Sequence, residues 1–68
     1  MDWIKIYTST KQYEISLLKA WLKENEIEAI EMNRQDSFYK IVGDFELFVQ
    51  SQDVIKAKYL IEKMDGEQ

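Results

Sequence analysis

The apolar residues of this 68-residue chain change their period several times along its length, and the order of those changes limits the available folds more than any other feature. Trp3 to Thr8 reads Trp-Ile-Lys-Ile-Tyr-Thr. Ile4 and Ile6 fall on one side and Trp3, Lys5 and Tyr7 on the other, which is the period-two alternation of a strand. Thr8, Ser9 and Thr10 then interrupt it. A hydroxyl oxygen can accept from an amide left unpaired at a helix start, so these residues are expected to cap a helix, Ser9 with Gln12 as a capping box. From Lys11 to about Asn25 the spacing becomes helical: Ile15, Leu18 and Leu22 repeat by threes and fours, and Leu17 and Trp21 widen the stripe. Lys19 and Lys23 lie one turn apart on the polar side. Asparagine tolerates the left-handed cap conformation better than glutamate, so Asn25 rather than Glu26 is expected to end this helix.

Ile27 to Asn33 reads as a second strand, with Ile30 and Met32 sharing a face with Glu28, and Ile27, Ala29 and Glu31 on the other. Arg34-Gln35-Asp36-Ser37 is turn material, and Phe38 to Val42 has the composition of a short strand whose place in the sheet stays open. Phe45 to Val49 alternates cleanly, Phe45, Leu47 and Val49 against Glu46 and Phe48. Ser51 to Met64 is a second amphipathic helix, built on Val54, Ala57, Ile61 and Met64 with Leu60 beside them. Ser51 is expected to cap its first turn, with Asp53 near the positive and Lys63 near the negative end of its dipole. Residues 65–68 read as a loose tail to a single domain spanning residues 1–68.

Strand, helix, strand, strand, helix is the order of a split βαβ pattern. The expected fold is therefore α+β: a two-layer, ferredoxin-like βαββα sandwich lacking the last strand, with two helices on one face of a small, mostly antiparallel sheet. A sheet of three strands, or four if Phe38 to Val42 pairs, keeps an open edge whose amides invite another strand.

Composition narrows the chemistry. With no histidine and no cysteine, the usual zinc sites and the Ser-His and Cys-His nucleophile pairs cannot be assembled, nor can a disulfide staple. The two glycines, Gly43 and Gly66, cannot write a phosphate-binding loop or a dinucleotide fingerprint. Nine basic side chains, scattered along the chain, against thirteen acidic ones give a net charge of −4, which opposes binding to nucleic acid. No apolar run approaches the length of about 20 residues needed to span a bilayer, and the first residues do not form a signal peptide. A cytoplasmic protein without membrane association is expected. At 46% hydrophobic and 32% charged residues it has enough apolar surface to fold. A chain this short nevertheless buries only roughly 60% of the surface its unfolded form exposes, so a partner subunit is one route to added stability.

Several segments resemble a family of very short bacterial proteins of unknown function, described as prokaryotic signal-transducing proteins. They are Trp3 to Thr8, Tyr13-Glu14 through Leu17-Leu18-Lys19, Asn25 to Ala29, Asn33 to Tyr39, Phe45 to Val49 and Asp53 to Ala57. The resemblance covers nearly the whole chain. It implies a ferredoxin-like fold, grouped with PII-like regulators, and a role in signalling. That family often has glycine where this chain has Glu26, and proline near Gln12 and Gln50.

The most site-like stretch lies between the second and third clear strands. Asn33, Arg34, Asp36, Ser37, Phe38 and Tyr39 offer a carboxylate, a hydroxyl, a cation and two aromatics in one loop, a set able to grip a polar ligand or a partner's side chain. The bland alternative is a turn whose aromatics tuck into the core. Ser9, Thr10 and Lys11 could receive an anion at the helix start, although capping accounts for the same residues. Glu24, Glu26, Glu28 and Glu31 read as a solvated acidic surface, since alternation separates Glu28 from Glu31. No catalytic residue, metal or cofactor is expected. The expectation is a non-enzymatic binding or regulatory module that meets a protein partner, or itself, through a sheet edge. The alternative is a sensor of a small ligand, a nucleotide or amino acid, bound near Lys11, Arg34 and Tyr39.

Overall fold

A computed structural model describes residues 2–33 and 45–66. Strand β1 (Trp3–Ser9) leads to helix α1 (Gln12–Glu24), strand β2 (Ala29–Asn33), strand β3 (Phe45–Gln50), a single 3-10 turn (Ser51–Asp53) and helix α2 (Val54–Gly66). The strands form one open sheet in the order β1-β3-β2, with β3 antiparallel to both neighbours. β1 and β2 thus run parallel on either side of β3. This is the α+β arrangement the residue pattern implies, compatible with a small ferredoxin-like fold. The Phe38 to Val42 segment lies outside the described residues.

β3 shows how the alternation becomes a layer. Leu47 and Val49 are fully buried and Phe45 is half-buried on the helix side. Opposite them stand Ile15, Leu18 and Leu22 of α1 and Ala57, Leu60 and Ile61 of α2, all in one core cluster with Ile27 and Ala29. Each large side chain removed from water here contributes about 1.5–3 kcal/mol, so this cluster holds most of what stabilises so small a fold. Trp21 ties the helices together: it is half-buried, and its indole Nε1 donates to the Leu60 carbonyl at 2.9 Å. Leu17 does not extend the core stripe. It is 56% exposed, on the flank of α1 away from Ile15 and Leu22.

Several local expectations need correction. The strict alternation over β1 is broken by an irregularity between Lys5 and Tyr7, so that Lys5 lies opposite Phe48 and Tyr7 opposite Leu47. The extra residue, Ile6, turns Tyr7 to the helix side, and both pack against the core. Next, α1 starts at Gln12 with Lys11 as its N-cap residue and no side-chain cap. Ser9 acts one step earlier, from the end of β1: its hydroxyl accepts from the Lys11 amide at 2.9 Å and donates to Glu14 Oε1 at 2.7 Å.

At the end of α1 the expected cap residue holds and only its backbone conformation differs. Asn25 is the C-cap residue, but the left-handed position is Glu26, at φ 66°. The Glu26 amide donates to the Lys23 carbonyl and the Ile27 amide to the Leu22 carbonyl, both at 2.9 Å. That bond pair is a Schellman motif, and the buried Ile27 and Leu22 supply its apolar contact. Asn25 contributes through its side chain, whose Nδ2 donates to the Trp21 carbonyl at 2.9 Å. Ile27 therefore belongs to the cap, and β2 starts only at Ala29. Ser51, expected to cap α2, is instead the first residue of the 3-10 turn, and its amide donates to the Asp2 carbonyl at 2.9 Å. α2 runs on to Gly66, past the end expected at Met64.

Candidate interaction surface

The outer rim of β1 is a site built from backbone. Ser51 donates to Asp2, extending the β1–β3 ladder by one bond beyond the Trp3–Gln50 pair. Antiparallel pairs alternate between bonded and non-bonded types, so Trp3 and Lys5 occupy the non-bonded positions and Ile4 the bonded one between them. The peptide groups of Trp3 and Lys5 consequently point away from β3, and no described strand lies beyond them. The side chains there are apolar and accessible: Trp3 is 36% and Ile4 39% exposed. Ile4 shares the helix side of the sheet with its partner Val49, while Trp3 and Lys5 share the opposite face with Gln50 and Phe48.

That opposite face carries Thr8, Ile30, Met32 and Glu46 as well. Glu46 is 8% exposed, and Lys5 Nζ lies 3.4 Å from its Oε2. Lys5 keeps half of its side-chain surface in solvent, so this ion pair orients the ammonium more than it stabilises the fold.

The residues singled out in the sequence fare differently. Asn33 is the exposed last residue of β2, opposite Phe45. Arg34, Asp36, Ser37, Phe38 and Tyr39 lie outside the described residues. At the start of α1 the Ser9 hydroxyl is engaged by the chain's own carboxylate from Glu14. Thr10 and Lys11 are exposed beside it. Glu31 accepts from Gln12 Nε2 at 3.2 Å, and among the described residues no three acidic side chains converge as a metal site would require.

A groove of about 570 Å³ lies between the end of α1 and the start of β2. It is lined by Lys19, Lys23, Glu26 and Glu28 and by the chain from Ile27 to Ile30. Lys11, expected near a ligand pocket, is not among its lining residues. The sequence signal for this groove was the Lys19/Lys23 spacing of one helical turn, read there only as a solvated face. The signal for the β1 rim was a tryptophan beside a strand-edge lysine, and the paired apolar residues Ile6-Tyr7 marked the break in alternation.

Among the described residues no helix is long and apolar enough to cross a membrane. Compared with known protein families, the chain matches over residues 3–65 the model described as "Putative prokaryotic signal transducing protein". It belongs to that family. Family members are thus the frame in which the open sheet, the Glu26 cap and the β1 rim are to be understood. No curated protein and no solved structure matches the chain.

Proposed function

We propose that this family member is a non-enzymatic regulatory module of the bacterial cytoplasm that works by protein–protein contact, presenting the β1 rim and residues 33–39. The observation that carries this reading is the rim itself: outward peptide groups at Trp3 and Lys5, flanked by a tryptophan and an isoleucine more than a third exposed. Strand addition needs only such groups plus alternating side-chain positions, and a fold of this size gains stability from the added contact. The family's signalling description agrees in kind. The test is affinity capture from the native host with wild type, a Lys5→Pro variant and an Asp36→Ala/Tyr39→Ala variant, each checked for folding by circular dichroism. A protein retained by wild type and lost by both folded variants is the expected result. Equal retention by all three would contradict it.

The groove lined by Lys19 and Lys23 together with Glu26 and Glu28 supports a second reading, a sensor of a small ligand carrying both charges, such as an amino acid, or of a nucleotide. Thermal shifts with nucleotides and amino acids separate the two, because a ligand raises the melting temperature only when it prefers the folded state. A shift abolished by Lys19→Ala/Lys23→Ala would support the sensor.

A further inference from the structure

We propose that the occupant of the β1 rim is a second copy of this chain, joined by antiparallel β1–β1 pairing centred on Ile4. This rests on the reading of the rim as an interaction surface and commits it to one partner and one register.

Two copies related by a two-fold axis can pair through the rim only where both residues turn their peptide groups outward, which the β1–β3 ladder assigns to Trp3, Lys5 and, beyond the irregularity, Thr8. Pairings through Thr8 would carry the irregularity inside the ladder, so Trp3 and Lys5 are the positions to combine. Three registers follow. Placing Lys5 opposite Lys5 of the partner subunit sets two like charges side by side, and it brings the Ile6 irregularity into the centre of the ladder. Placing Trp3 opposite Trp3 of the partner subunit makes one favourable indole pair, but it centres the ladder on the first residue of β1 and leaves Lys5 with no aromatic against it. The remaining register places Trp3 opposite Lys5 of the partner subunit, and by symmetry Lys5 opposite Trp3 of the partner subunit. Each lysine then lies beside an indole, a favourable cation–π pair made twice.

The same register puts Ile4 against Ile4 of the partner subunit on the helix side of the sheet. Ile4 is 39% exposed in the single chain, and this contact covers it. Lys5 shares the sheet face on which the partner's indole arrives; its contact with Glu46 leans the ammonium toward β3, and half of its side-chain surface stays open to that indole. The Ile6 irregularity closes the ladder at one end, holding the pairing to the short flat segment around Ile4. The product is a continuous sheet of the six described strands, three from each copy, with the four described helices on one face.

Cysteine cross-linking tests this directly, because the chain has no cysteine of its own. Ile4→Cys, Trp3→Cys and Lys5→Cys variants are oxidised mildly, alone and in pairs, after circular dichroism shows each to be folded. Ile4→Cys is expected to form a disulfide dimer as its main product. Trp3→Cys and Lys5→Cys are each expected to stay monomeric alone and to cross-link when mixed. Charge gives an independent check by sedimentation: Trp3→Glu keeps the dimer through opposite charges, and Trp3→Lys weakens it at least tenfold. Absence of any cross-link, or self-linking of Trp3→Cys or Lys5→Cys, overturns the proposal. If cross-linking fails while Lys5→Pro still loses a captured host protein, the rim remains an interaction surface and only its occupant is wrong. If both fail, the reading of the rim falls with it.

Discussion

Glu26 shows how much one backbone angle can decide. At φ 66° it holds the left-handed position of the α1 cap, where a side chain beyond Cα crowds the following carbonyl. Glycine, with no Cβ, avoids that crowding. Glu26→Gly is expected to raise stability by about 1 kcal/mol, less the entropy glycine adds to the unfolded chain. Urea denaturation checks it, and a loss of stability would mean that the Glu26 side chain makes a compensating contact. The sequence pointed to Asn25 because propensity ranks asparagine above glutamate. What it could not show was which residue the Leu22 and Lys23 carbonyls would select once Ile27 was drawn into the core. A similar competition governs Ser9, whose hydroxyl could have capped α1 but is committed between the Lys11 amide and Glu14.

At the level of elements, the alternation of β3 and the threes and fours of both helices were legible because each faces a single core. Ile15, Leu18 and Leu22 are all buried as that spacing requires. The width of the α1 stripe was not legible, since Leu17 has the same chemistry as Leu18 and only the position of α2 decides which is covered. Leu22→Ala is therefore expected to cost about 2–5 kcal/mol, enough to unfold much of the population. Leu17→Ala is expected to change stability by no more than about 1 kcal/mol. Thermal unfolding of the two variants side by side measures the contrast, and equal losses would place Leu17 in a contact absent from this arrangement. β1 was half legible. Its alternation predicted a strand, but a one-residue irregularity at Ile6 reversed the faces beyond it and delivered Tyr7 to the core. The adjacent apolar pair Ile6-Tyr7 carried that information, and strict period-two reading discarded it.

For the whole molecule, the order of elements implied an open sheet before any contact was known, because neither three strands nor four close on themselves. Which rim would be exposed, and with which side chains, depended on β3 inserting between β1 and β2, a choice made by tertiary packing. The binding residues proposed from Asn33 to Tyr39 rest on residue chemistry, whereas the β1 rim rests on backbone direction, so the two can be tested apart. The central claim is that the Trp3 and Lys5 peptide groups are turned outward and free for a companion strand. Amide hydrogen exchange, followed residue by residue by NMR across a concentration series, reads those groups directly. The Ile4 amide should be protected at every concentration, while those of Trp3 and Lys5 should exchange fast in dilute solution and slow as association sets in. Protection of Trp3 and Lys5 at high dilution would show the rim already covered by its own chain, and the account would be wrong.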